Sequence, residues 1–390
     1  MAQLFQPIIP ETQIHPLVRR IIEEPAYHPA KAVINCWLVG LDSKKEAKKL
    51  VKEFQTSFNS TFWELYLNKA FKVLGFEIDY GFDTPDFHLV HPNGTRLNVE
   101  AVTANHKDHL MADFYEPERV KQKAEKDHQV WLDEASIKLV GKIKDKLNLF
   151  QGASGKKQPY NALEHVKGNP FVFAIAPFDQ HLTHHQNNMA INRVLFGIEP
   201  PSDLNDEIKC IDFLTKSNGA RVDLGLFTND RYKDISAVIF STTATFSKAL
   251  VQTPFKGTVR ATRYREMRLG EFLAKEGQQA LGKSQINLAE KHDVLRTRFM
   301  DGETVYGSDL HLCDASQYTE SHLDGLHIYY NPFADYPLNP AMFSAKEVTH
   351  NYFDKEQNLP YAINNDGALV SRETVVERVG EFVKDELKGF

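Results

Sequence analysis

The sequence predicts an α/β protein built on a central mixed β-sheet with helices on its flanks. Three stretches carry that expectation. Glu64 to Thr103 reads as a helix followed by three short strands, the last two joined by a tight turn. Asn169 to Pro177 is an unbroken apolar run of strand length, as a central strand covered on both faces requires. Between them, Leu132, Ala135, Leu139, Ile143 and Leu147 form one apolar stripe at helical spacing.

Composition sets the outer limits. At 390 residues the chain can bury a large core and form one domain or two. We divide it into an N-terminal arm at 1–42, an α/β core at 43–250 and a C-terminal extension at 251–390. Its 42% hydrophobic and 25% charged content is ordinary for a globular protein. No run of about 18 apolar residues occurs, so no membrane span is expected. Met1-Ala-Gln-Leu-Phe5 also lacks the basic head and apolar core of a secretory signal. Cys36, Cys210 and Cys313 are widely spaced and fit no metal pattern, which suits a reducing cytoplasm. With a net charge of −6 the surface as a whole is no polyanion trap, and any nucleic-acid affinity must come from local basic patches.

In chain order, residues 1–30 are proline-rich and read as an irregular arm with one short helix around Val18 to Glu24. Val33 to Leu41 reads as a strand. Ser43 to Leu74 reads as helical with a break near Asn59-Ser60-Thr61, where a hydroxyl could cap the next helix. On that helix Glu64 precedes Leu67, Phe71 and Leu74, which places its carboxylate on or near the buried stripe; a rotated helix would instead leave it solvated beside Lys69. The turn Pro92-Asn93-Gly94 suits a three-residue hairpin loop with glycine in the left-handed position. Counting outward from the flanking pair His91 and Thr95, Val90 faces Arg96, His88 faces Asn98 and Asp86 faces Glu100. Directly opposed residues have Cβ atoms about 5 Å apart. Two carboxylates that close repel unless a cation lies between them or one is protonated.

Beyond the hairpin, Asn105 to Glu118 holds His106, Asp108 and His109 at a spacing too loose for zinc and reads as a solvated loop. Lys138, Lys142 and Lys146 repeat at i+4 along the predicted helix and make a basic ridge, with a flexible loop at 151–157 after it. His181, His184 and His185 allow a metal reading, but His184 and His185 are adjacent and cannot share one helical face. Met189 to Phe196 reads as a helix, and Val222 to Phe227 and Ile235 to Ser241 as strands. Lys256 to Arg268 carries five basic residues against one acid and includes Tyr264; it fits either a phosphate-gripping patch or a surface strand with charged edges. Val376 to Lys388 reads as a closing amphipathic helix.

An inward Glu on a helix, a strand, Pro85-Asp86 at the head of a second strand and Val99-Glu100-Ala101 on a third resemble the PD-(D/E)xK restriction-endonuclease-like superfamily. Further pieces are similar to a group of uncharacterised bacterial proteins: Lys142 and Lys146 with the segment His165 to Ile175, then Asp234 to Ser241 and Tyr330 to Ala334. The resemblance spans about residues 60 to 345 and implies a restriction-endonuclease-like core. It implies a divalent cation, usually magnesium with manganese as a substitute, held by Glu64, Asp86 and Glu100. Asp86, Glu100 and a lysine would be the catalytic residues. One departure matters: the position two after Glu100, where the family has lysine, is Val102. The family is known to move that lysine to a neighbouring helix, and Lys142 is the first candidate. The expected activity is metal-dependent cleavage of a phosphodiester, with DNA the favoured polymer. Lys138, Lys146, Arg260, Arg263 and Arg265 would contact its backbone. The alternative is a non-catalytic nucleic-acid-binding or scaffold protein with a degenerate core. Self-association as a homo-oligomer stays open.

Overall fold

The computed structural model describes residues 3–44, 47–104, 128–153, 158–178, 187–199, 209–278, 285–289, 292–365 and 367–377. It is an α/β protein whose large mixed sheet is flanked by helices, as the sequence predicts. Helices α1 (Pro16–Glu23), α2 (His28–Trp37), α3 (Leu41–Lys44), α4 (Ala47–Thr56) and α5 (Phe58–Val73) lead into the hairpin strands β1 (Glu77–Asp79), β2 (Phe87–Val90) and β3 (Arg96–Thr103). Helix α6 (His128–Gln151) then precedes β4 (Phe171–Ala176).

Strands β1, β2 and β3 run antiparallel, and β4 lies parallel to β3. After α7 (Met189–Phe196), two small ribbons follow: β5 (Ile198–Glu199) with β6 (Lys209–Cys210), and β7 (Phe213–Thr215) with β8 (Arg221–Asp223). Strand β9 (Ala237–Phe240) joins β4 in parallel. The chain then leaves the sheet through α8 (Phe246–Leu250) to build a second, five-stranded antiparallel sheet. This contains β10 (Gly257–Arg268), which leads into α9 (Leu269–Lys275), then β11 (Gln285–Ala289), β12 (His292–Asp301) and β13 (Thr304–Asp314). It returns with β14 (His327–Tyr330), β15 (Thr349–Asp354) and β16 (Leu359–Ile363), which complete an eight-stranded sheet in the order β1-β2-β3-β4-β9-β14-β15-β16. Strand β17 (Ala368–Val376) closes the second sheet beside β10.

Strand β4 shows why the sheet is covered twice. Phe171, Phe173 and Ile175 point to one side and Val172, Ala174 and Ala176 to the other, and all six are buried. A period of two with apolar residues at both phases demands helices on both faces. One face packs on Trp37, Phe62, Trp63 and Phe71 of α2 and α5, the other on Leu139, Ile143 and Val194 of α6 and α7.

Several expectations change. Val33 to Leu41 is helical through Trp37, not a strand: Ala30, Ile34 and Trp37 are buried at helical spacing. The break before the Glu64 helix falls at Ser57, two residues earlier than expected, and Ser57 makes no side-chain cap. The N-terminal segment is packed rather than irregular, with Leu4, Val18, Ile21 and Ile34 fully buried. Of Val222 to Phe227, only the first two residues belong to a strand. The segment after residue 250 supplies three strands of the main sheet besides the second sheet. Val376 ends β17, and 378–390, like His106, His109 and His181 to His185, lies outside the described residues.

Candidate active site

The hairpin closes as its turn chemistry dictates. His91 N donates to Thr95 O at 2.8 Å and Gly94 N to His91 O at 2.8 Å, with Gly94 at φ 85°. Only glycine takes that left-handed conformation without steric cost. The register follows: Val90 pairs with Arg96, His88 with Asn98 and Phe87 with Val99. Asp86 is the next residue outward, and its Oδ2 accepts the Ala101 amide at 2.8 Å.

A second segment fixes the approach to Asp86. Phe82 stacks on His165 with ring centroids 4.0 Å apart, and His165 Nε2 lies 2.9 Å from Thr84 O. Asn98 Nδ2 donates to His165 O at 3.3 Å. His165 therefore clamps the strand carrying Asp86 to the strand carrying Glu100.

Glu100 is 4% exposed, and Lys146 Nζ donates to its Oε1 at 2.6 Å. Burial and the nearby Asp86 push the Glu100 carboxyl up, Lys146 and a hydrogen bond pull it back, and it settles at about 7. On Lys146, burial acts to lower the ammonium pKa, but the fields of Glu100, Asp86 and Glu64 outweigh it and the net shift is upward. Tyr160, buried in a short 3-10 turn, has its hydroxyl pKa raised by burial and then by Glu100 and Asp86. This phenol gave no signal in the sequence, because a turn some sixty residues from Glu100 is placed there only by the docking of α6.

The lysine that reaches Glu100 is Lys146. Lys142, the first candidate from sequence, lies one turn earlier on α6 and is half-buried. Glu64 is half-buried on α5 and acts on Lys146 through its field. That helix is pinned to the sheet by Trp63 Nε1 donating to Ala174 O at 2.9 Å and by Ser60 and Thr103 hydroxyls 2.9 Å apart. Among the described residues no three His, Cys, Asp or Glu side chains stand close enough to hold a metal. Glu64 is thus not drawn into one cluster with Asp86 and Glu100. The adjacent pair Asp86 and Glu100 remains, a set of hard oxygen donors of the kind magnesium takes while keeping several waters.

No family model, curated protein or solved structure matches the chain.

The second basic patch is largely engaged within the protein. Arg263 pairs with Asp324 at 2.9 Å and Arg265 with Asp309 at 2.5 Å, both partly buried. Arg260 is exposed on β10. Lys138 lies two turns before Lys146 on α6. Among the described residues no helix is long and apolar enough to cross a membrane.

Proposed function

We propose that this chain is a metal-dependent nuclease that hydrolyses phosphodiester bonds, with DNA the favoured polymer. The observation that carries the reading is the convergence of Asp86, Glu100 and Lys146, from three separate elements, around one buried carboxylate. The order of elements supports it too: a helix carrying Glu64, three antiparallel strands and then a helix. That is the layout the PD-(D/E)xK resemblance leads one to expect.

Asp86 and Glu100 would hold a magnesium or manganese ion, which when bound polarises a phosphate and acidifies water. The chain's own groups account for the rest. Lys146 keeps its proton at neutral pH and presents a positive charge beside the carboxylates, where phosphate charge develops. Tyr160 also keeps its proton and can donate a hydrogen bond. Glu64 biases Lys146 toward the charged form.

The rival reading, a nucleic-acid-binding protein with a degenerate core, draws on Val102 in the usual lysine slot. The assay that separates them compares plasmid, linear DNA and RNA with magnesium and with chelator. Under our reading Glu100→Gln and Lys146→Ala each lose roughly 100-fold or more in cleavage, while Lys142→Ala stays within about threefold. All variants should keep the wild-type melting behaviour within a few degrees. Cleavage by no protein on any substrate favours the rival, and equal loss in Lys142→Ala and Lys146→Ala replaces a positioned lysine with a diffuse ridge.

A further inference from the structure

A second concavity lies away from the acidic hairpin. A cavity of about 520 Å³ lies where the far end of the main sheet meets the second sheet, walled by α7, β10, β13, β14, β15 and β16. It opens on the sheet face that also carries α6, but at the opposite end of the strand order from Glu100. Nothing in the proposed hydrolysis uses it.

Its lining has a consistent chemistry. Tyr264 and Tyr306 supply flat ring surface, and Asn187, Asn192, Asn351 and Asn364 supply amides. Ser308 and Thr297 add hydroxyls, which lie 2.9 Å apart and bond each other, leaving one donor and acceptor capacity between them for a ligand. An amide carries a donor and an acceptor side by side, but Asn187 Oδ1 already accepts from Met189 N at 2.8 Å, Asn364 Oδ1 accepts from Gly367 N at 2.9 Å and Asn351 Nδ2 donates to Ile328 O at 3.3 Å, so each of these presents its remaining half to the cavity.

The charged groups are more telling. Arg265 lines the cavity but is paired with Asp309 at 2.5 Å. His327 has both ring nitrogens engaged, Nδ1 with Asn188 at 2.8 Å and Nε2 with Leu369 O at 3.0 Å. That leaves Glu266, whose one hydrogen bond among the described residues is a long one, from Ala362 N at 3.3 Å. Burial lifts its carboxyl to about 7. Near neutrality this group is therefore close to half protonated, and in that form it too carries a donor and an acceptor side by side.

From these walls we infer that the cavity is a binding site for an uncharged nucleoside, a flat heteroaromatic base with its sugar and no phosphate. A base ring offers π faces for the tyrosines to stack on. Its edge alternates donors and acceptors, matching the amides and the neutral carboxyl. The hydroxyls suit a ribose. A phosphate would need an uncommitted cation to balance it, and the guanidinium here is already engaged with Asp309. The volume falls in the range of small-molecule sites, about 300–1,000 Å³.

The test is calorimetric titration of the full chain with adenosine, guanosine, cytidine and uridine, in parallel with maltose and with choline. One nucleoside should bind, with maltose and choline silent at ten times its concentration. Glu266→Leu, which removes both donor and acceptor, should weaken that binding at least tenfold, while Glu266→Gln, which keeps one of each, should stay within about threefold, both with the far-UV spectrum unchanged. Ala362→Trp, placed on the edge strand to fill the cavity, should abolish it and leave nuclease activity as in wild type. Absence of nucleoside heat at millimolar concentration, tighter binding of maltose or choline, or full affinity in Ala362→Trp would each overturn the assignment.

Discussion

Glu266→Gln has a second consequence, independent of any ligand, that measures how dry the cavity floor is. The Glu266 side chain bridges β10 to the open edge of β16 through its bond from Ala362 N. Burial raises its carboxyl from the ordinary 4.5 to about 7, with that hydrogen bond pulling the other way. A raised native pKa means the folded state holds the proton more tightly than the unfolded chain. Its stabilising contribution is fully present below the unfolded pKa and is lost as pH rises through the native value. Across 2.5 pKa units at about 1.36 kcal/mol each, the loss by pH 8 approaches about 3 kcal/mol, an upper figure because water in the cavity screens the charge. Glutamine keeps the shape and can still accept the Ala362 amide, but it has no proton to lose. Urea unfolding of both proteins from pH 5 to pH 8 should show near-equal stability at the acid end. Toward pH 8 the variant should gain by about 2 kcal/mol relative to wild type. A gap that does not change with pH, or one that favours wild type more as pH rises, would refute a desolvated carboxyl at this position.

Two further outcomes follow from the charge pairs. The side chains of Lys248, Glu320 and Arg372 are all fully buried, with Glu320 ion-paired to Lys248 and bonded to Arg372 Nε at 2.9 Å. Burial acts to raise the Glu320 carboxyl, but Arg372 and Lys248 outweigh it and hold it at about 2, so its contribution is present above the ordinary carboxylate range and lost as pH falls through 2. Glu320→Gln strands two buried cations and should cost about 3–5 kcal/mol, read as a lower urea midpoint. On β10, Arg260→Glu should reduce the salt slope of DNA binding by about one contact. Arg263→Glu, which removes the partner of Asp324, should instead lower the melting temperature; an unchanged slope in Arg260→Glu would take β10 out of the interface.

The hairpin was legible because its information is local. Pro92-Asn93-Gly94 sets the turn, the turn sets the register through Phe87 and Val99, and that brings Asp86 to the Ala101 amide beside Glu100. The lysine was legible only as a row. Lys138, Lys142 and Lys146 share a helix face, and which one meets Glu100 depends on how far α6 slides along the sheet. That shift of one turn, about 5.4 Å, is fixed by the packing of Leu139 and Ile143 on β3 and β4. The misread at Val33 to Leu41 has a different cause. Val33-Ile34-Asn35-Cys36-Trp37-Leu38-Val39 is apolar enough to pass as a strand, and a short apolar run does not declare its period. The burial of Ala30, Ile34 and Trp37 resolves it as a helix. Strands β14 to β16 escaped notice as partners of the main sheet because β9 and β14 are separated by the whole second sheet. The Lys248, Glu320 and Arg372 cluster is equally non-local.

The position of Val102 also has a physical reason, and it bears on whether the hairpin can be catalytic at all. Asn98, Glu100 and Val102 lie on one face of β3, and Val102 is buried with Leu139, Val140 and Ile143 of α6. A lysine there would have to carry its ammonium through that apolar layer, at the desolvation cost that keeps lysine out of cores. Lys146 avoids the problem. It starts on the opposite side of the same layer, is still partly exposed, and brings its ammonium to Glu100 from the helix rather than from the strand. The charge reaches the carboxylates by a different backbone route, and the apolar contact between β3 and α6 is what places it there. Val102 is then a packing residue, buried in the apolar layer between β3 and α6 from whose far side Lys146 reaches Glu100.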